Sequence, residues 1–207
     1  MGESHLHRHS IMLTGGRSVV DLYKSLSVHI NTHSYCPPSD FFLTDERNVS
    51  PTSHESNFKL ITDHFFSKGV PNGSFFYSYE LALSSMEDVA TKYASVIPDQ
   101  IDIMILSLGE DGHIASLFPN SPALSEIERK VVPVVGTKAP FQRFTITPPV
   151  IQAAKKVYVL AIGDEKRRKY EEALLDPEDI SSIPARLVLD RTWIFDLCEE
   201  IDLCPKP

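Results

Sequence analysis

The chain has 207 residues, with 20 Lys and Arg against 28 Asp and Glu, a formal charge of −8, and 42% hydrophobic residues. That composition suits one globular domain with a sizeable core and excludes a fibre, a disordered tail or a disulfide-stapled miniprotein. The acidic balance gives no sequence-wide basic field for a nucleic-acid backbone or an anionic membrane, so an anionic ligand must meet a local cluster of donors.

Residues 1–9 read as a short N-terminal extension ahead of an α/β domain over 10–207. Short β-rich apolar runs then alternate with segments of helical period, the pattern of a largely parallel open sheet flanked by helices. Strands are predicted at 10–14, 41–44, 75–79, 102–108, 131–135, 143–147, 157–162 and 192–195. Helices are predicted after Gly16 (Val19, Leu22, Tyr23, Leu26), after Ser56 (Phe58, Ile61, Phe65), after Ser84 and after Asp164 (Tyr170, Ala173, Leu174). The third is the clearest. Ser85 with Asp88 resembles a capping box, Met86, Val89, Ala90, Tyr93, Ala94 and Ile97 form one apolar stripe, and Pro98 ends it. Residues 119–140 are loop-rich and are expected to cover a site. No repeat or linker divides the chain, so a single domain is expected.

Cys36, Cys198 and Cys204 are odd in number and form no C-x-x-C pair, which points away from a disulfide framework or a zinc site and toward a reducing cytoplasm. The longest apolar runs are too short to span a bilayer, and residues 1–10 lack the apolar core of a secretory signal. Leu6 stands where a myristoylation signal wants Ser or Thr. A soluble cytoplasmic chain is expected. His5, His7 and His9 alternate with Leu6 and Arg8 ahead of the first strand and are not read as a metal site.

Ligands of open parallel sheets bind outside the carboxyl ends of the strands, and three such positions carry chemistry here. Ile11-Met12-Leu13 runs into Thr14-Gly15-Gly16 and a helix; glycines let backbone N–H groups approach an anion, so this turn either holds a phosphate or is simply tight. Phe41-Phe42-Leu43-Thr44 runs into Asp45-Glu46-Arg47, three charges expected at a pocket rim rather than in the sheet, with Ser56-Asn57 close behind. Arg47 either pairs with a neighbouring acid or offers its planar fork to a phosphate or carboxylate. The third strand delivers Gly109-Glu110-Asp111-Gly112-His113, a glycine-bracketed acidic turn followed by an imidazole. Histidine is the side chain whose ordinary pKa of about 6.5 suits proton transfer near neutrality.

These segments, in this order and spacing, resemble the motifs of the 6-phosphogluconolactonase family: Leu13-Thr14-Gly15-Gly16, Asp45-Glu46-Arg47 with Ser56-Asn57, and the run Gly109-Glu110-Asp111-Gly112-His113-Ile114-Ala115-Ser116-Leu117-Phe118-Pro119. Arg143-Phe144-Thr145-Ile146-Thr147 with Ile151 and Ala154, the 163–166 turn, and Trp193-Ile194-Phe195-Asp196 are similar to later landmarks. The resemblance spans about 10–196 and implies the Rossmann-like single-domain fold that the lactonases share with glucosamine-6-phosphate deaminase/isomerase.

It also implies hydrolysis of 6-phospho-D-glucono-1,5-lactone, the oxidative pentose phosphate step. His113 would be general base and then general acid, with Asp111 orienting or polarising the site and Asp45 the third member of the catalytic set. Thr14, Gly15, Gly16, Arg47 and Arg143 would meet the phosphate, and Asp45 and Asn57 would meet sugar hydroxyls or hold Arg47. No cofactor, metal, nucleic acid or membrane is implied, only a small phosphosugar lactone, and the oligomeric state stays open. Within 166–169, read as a solvated helix face balanced by Glu171 and Glu172, only Lys166 is a family landmark.

Two departures stand out. The family's glycine loop usually continues into Ser-Thr-Pro where this chain has Arg17-Ser18-Val19, and its usual leading helix and strand are replaced by the short stretch before residue 10. The deaminase/isomerase is the rival reading; its similar segment continues into Asn-Glu-Pro, whose Glu assists the histidine, and its Asp-Glu pair precedes an aromatic residue rather than Arg47. A non-catalytic sugar-phosphate-binding module is the other alternative.

Overall fold

A computed structural model describes residues 8–32, 37–82 and 84–196 of the chain. The predicted extension up to residue 7, with His5 and His7, and all three cysteines lie outside these residues. In chain order the elements are β1 His9–Leu13, α1 Val20–Thr32, β2 Ser39–Leu43, β3 Asp45–Arg47, α2 Asn57–His64, β4 Phe75–Phe76 and α3 Met86–Ala94. They continue with β5 Ile103–Ser107, β6 Val131–Val135, β7 Gln142–Ile146, α4 Pro148–Ala153, β8 Lys156–Ala161, α5 Asp164–Leu175 and β9 Thr192–Phe195.

Six strands pair in parallel in the order β4-β2-β1-β5-β8-β9, so the sheet is open and β1 and β5 lie at its centre. Central parallel strands are covered on both faces, which is why Met104 to Leu106 can be uniformly apolar and buried. Met12, Leu13, Leu43 and Val159 join them in one core with Val89, Ala90 and Tyr93 of α3. The expected cap of α3 forms, Ser85 Oγ accepting from Asp88 N at 3.1 Å, and Ser56 caps α2 in the same way, its Oγ accepting from Lys59 N at 3.1 Å. Helix α4 is an addition to the predicted set, opened by Pro148 at a position where a missing N–H costs no hydrogen bond.

The larger difference lies at Asp45-Glu46-Arg47. These residues do not stand outside a sheet; they form β3 of a separate antiparallel sheet ordered β3-β7-β6. The chain changes sheets at Thr44, whose N–H bonds to Leu13 O at 2.9 Å while its carbonyl accepts Ile146 N at 2.9 Å. Asp45 and Glu46 are consequently buried. Burial is tolerated because both carboxylates are fully engaged by donors, as described below.

Candidate active site

The β1 and β5 ends of the parallel sheet, the first turn of α5 and the β3–β7 pair of the small sheet surround one cavity of about 270 Å³. All nine residues singled out from the sequence line it: Thr14, Gly15 and Gly16 after β1, Asp45 and Arg47 from β3, Asn57 opening α2, Asp111 and His113 after β5, and Arg143 from β7. Of the loop-rich residues 119–140, only Thr137 and Lys138 reach the cavity. Five cationic and three acidic side chains line it, giving a local positive excess in a chain of charge −8.

At its centre His113 Nδ1–H donates to Asp111 Oδ1 at 2.5 Å, and the His113 backbone N–H reaches the same oxygen at 3.2 Å. Burial opposes ionisation of Asp111, but the hydrogen bonds and charge of His113 outweigh it and hold the carboxyl below the usual range. Asp111 is therefore an anion throughout the neutral range, and it fixes the ring with Nε2 as the nitrogen left to act. Gly109 makes room for this arrangement. A Cβ there would sit 2.2 Å from His113 Nδ1 and Cε1. The Phe118 ring packs against the imidazole, with ring centroids 4.8 Å apart.

The two-residue period of a strand divides β3 by function. Asp45 and Arg47 face the cavity while Glu46 points away from it. Asp45 Oδ2 accepts from Ser116 Oγ at 2.6 Å, and its Oδ1 accepts from Thr44 Oγ1 at 3.1 Å and Asn57 Nδ2 at 3.2 Å. Glu46 was not among the residues singled out. Its carboxylate accepts from the N–H groups of Arg47 (2.7 Å), Asn57 (2.8 Å) and Phe58 (2.8 Å) and from Ser56 Oγ (3.0 Å), so it ties β3 to the start of α2. Burial pushes its carboxyl up, and those four donors pull against the shift. Asn57 then projects beside Gly15 so closely that a Cβ on Gly15 would lie 1.9 Å from Asn57 Oδ1, an oxygen that is itself buried without a partner.

Arg47 donates to the Glu55 carbonyl, with the Glu55 carboxylate at 3.7 Å, near the outer limit of an ion pair. Arg143 is 7% exposed and is held by the carbonyls of Pro140 (2.9 Å) and Lys138 (3.2 Å), with its guanidinium carbon 5.3 Å from the Phe118 ring centroid. Burial, then the charge of Arg47, lower its proton affinity. Lys166 corrects the expectation of a fully solvated helix face at 166–169. It is half-buried in the cavity wall, where its Nζ donates to Ser18 Oγ at 2.5 Å and Ser107 Oγ at 3.3 Å. Burial lowers its pKa against the opposing pull of Glu110.

An open parallel sheet flanked by helices, with a cavity of cationic excess and a carboxylate-held histidine at its strand ends, places the chain in a Rossmann-like α/β class. Residues 3–195 match the family model for glucosamine-6-phosphate isomerases/6-phosphogluconolactonase, and the chain belongs to that family. It is 35% identical to a 6-phosphogluconolactonase of Borreliella burgdorferi, covering 86% of this chain and 78% of that one. It is 33% identical to a 6-phosphogluconolactonase of Pseudomonas aeruginosa over 86% of this chain and 76% of that one. The crystal structure of a 6-phosphogluconolactonase from Shewanella baltica superposes with a TM-score of 0.79 at 25% identity, covering 91% of this chain and 82% of the other. Among the described residues, no helix is long and apolar enough to cross a membrane.

Proposed function

We propose that this chain hydrolyses 6-phospho-D-glucono-1,5-lactone to 6-phosphogluconate, the lactonase step of the oxidative pentose phosphate pathway. The observation that carries the reading is the Asp111–His113 pair in the same cavity as Arg47 and Arg143. His113 Nε2 takes a proton from a water molecule as the water oxygen bonds to the lactone carbonyl carbon. It returns that proton to the ring oxygen as the bond from that carbon to the ring oxygen breaks. The tetrahedral oxyanion between these steps develops in a cavity with a cationic excess. A lactone is an activated ester, so the reaction draws on neither metal nor cofactor.

Thr14, Gly15 and Gly16 with Arg47 and Arg143 hold the phosphate, as placed donors rather than a diffuse field. Lys166, beside the same loop, joins them. Asp45 and Asn57 meet the sugar hydroxyls or hold Arg47 in place. The protein works in the cytoplasm on this small molecule, with no nucleic acid or membrane as partner.

Phe118 supports this reading over the deaminase/isomerase. Its apolar ring lies 4.8 Å from His113 where the rival motif carries an assisting Glu. Purified protein is expected to accelerate lactone hydrolysis above the spontaneous rate, and His113→Ala to lose that acceleration by a factor of about 10²–10⁴. Ammonia release from glucosamine 6-phosphate with no lactone hydrolysis would establish the rival instead. Binding of 6-phosphogluconate without either turnover would leave a non-catalytic sugar-phosphate module.

A further inference from the structure

Arg17 opens the turn after the glycine pair, at the point where this chain departs from the loop it resembles, and its exposed side chain lines the cavity. Among the described residues no hydrogen bond, ion pair or ring contact holds its guanidinium. The acid that a solvated helical arginine would ordinarily use lies one turn on, at Asp21. That carboxylate is taken by Lys24 at 3.2 Å. The neighbouring Ser18 meanwhile receives Lys166 Nζ at 2.5 Å, so a second cation is anchored at the same turn while Arg17 stays unengaged. The other cation at the mouth, Lys138, is paired with Glu110 at 3.1 Å.

We propose that Arg17 is a specificity-determining residue, an additional cation at the cavity mouth that engages the phosphate end of the ligand and selects phosphorylated lactones over unphosphorylated ones. The inference rests on the lactonase reading above and adds a residue to it. An arginine at the rim acts on capture more than on chemistry, so its contribution is sensitive to ionic strength.

The test is steady-state kinetics of the wild type, Arg17→Ala and Arg17→Lys on 6-phosphogluconolactone and on unphosphorylated glucono-1,5-lactone, with calorimetric titration of 6-phosphogluconate and inorganic phosphate. Arg17→Ala is expected to raise KM for the phosphorylated lactone about three- to tenfold, with kcat changed less than about twofold. The dissociation constant for 6-phosphogluconate should weaken by a similar factor. The salt dependence of kcat/KM should flatten, the unphosphorylated lactone should be unaffected, and Arg17→Lys should retain most of the effect. Unchanged KM and affinity in Arg17→Ala, or an equal loss on both lactones, would overturn the proposal. If the wild type itself turns over neither lactone, the lactonase reading fails, and the titrations with 6-phosphogluconate and phosphate still decide the role of Arg17.

Discussion

Arg47 and Arg143 stand directly opposite each other in the β3–β7 ladder. Like charges at facing positions of an antiparallel pair repel, and Arg143 is also largely removed from water. Among the described residues, the nearest carboxylate to either is that of Glu55, 3.7 Å from Arg47. Arg143 is stabilised by carbonyl oxygens and an aromatic face, partners that carry no neutralising charge. Two facing cations, with Glu55 at 3.7 Å from Arg47 as the one carboxylate within ion-pair reach of either guanidinium among the described residues, form a site that favours an anion between them.

Binding of 6-phosphogluconate should therefore stabilise the fold by linkage, about 2.7 kcal/mol when free ligand is a hundred times its dissociation constant. Differential scanning fluorimetry should show a rising Tm with ligand concentration, and Arg143→Ala should lose most of the rise. Arg143→Lys keeps the charge without the planar fork and should give an intermediate response. A wild-type shift in Arg143→Ala would remove the pair from the binding site.

The Asp111–His113 contact predicts a kcat effect separable from binding. Asp111→Asn preserves shape but removes the anion that keeps the proton on Nδ1, so the ring no longer presents Nε2 as a base. A fall in kcat of about 10²-fold or more with KM within about threefold is expected from initial-rate measurements. Equal kcat in the variant would mean that Asp111 only shapes the turn.

Gly109 tests the same geometry from the backbone side. Gly109→Ala places a methyl group 2.2 Å from the imidazole atoms, and the ring must give way because the backbone there is fixed by Gly109 N–H to His113 O at 2.8 Å. Folding should persist at a cost of about 1–3 kcal/mol, readable by urea denaturation, while lactonase activity falls by at least about tenfold. Retained activity would show that His113 is free to swing.

Much of this was legible in the residues themselves. The buried strand before Gly109 announces itself because a parallel strand covered on both faces reads as an unbroken apolar run, and the turn after it could then be placed at a carboxyl end. The β3 strand was hidden for the opposite reason: Asp, Glu and Arg in succession carry low strand propensity, and only the pairing with β7 and the donors around Asp45 and Glu46 make them a strand. Glu46 is read from the sequence only as one charge of that run, because its role depends on the α2 N-terminus arriving ten residues later to supply donors. Lys166 looked like one of four basic residues on a solvated helix. In the first turn of α5 its side chain leans back toward Gly163 and into the cavity, where Ser18 and Ser107 receive it.

At the opposite end of the sheet, Asp102 fastens the central strands and predicts an acid limb in stability. Lys155 Nζ donates to its Oδ1 at 2.6 Å, and Ser10 N–H and Oγ–H donate to its Oδ2 at 2.9 and 3.1 Å. Burial opposes ionisation, yet these donors outweigh it and hold the carboxyl well below the usual range. A carboxyl depressed in the folded state binds fewer protons there than in the unfolded chain, whose aspartates titrate near about 3.9. Its stabilising contribution is thus complete above that value and is lost as pH falls through the interval down to the folded pKa. Asp102→Asn should lower Tm at pH 7 by removing the charged acceptor. Its deficit relative to wild type should shrink when both are scanned between about pH 4 and pH 2. A deficit that stays constant across that interval would show that the carboxylate's charge contributes nothing to holding β1, β5 and β8 together.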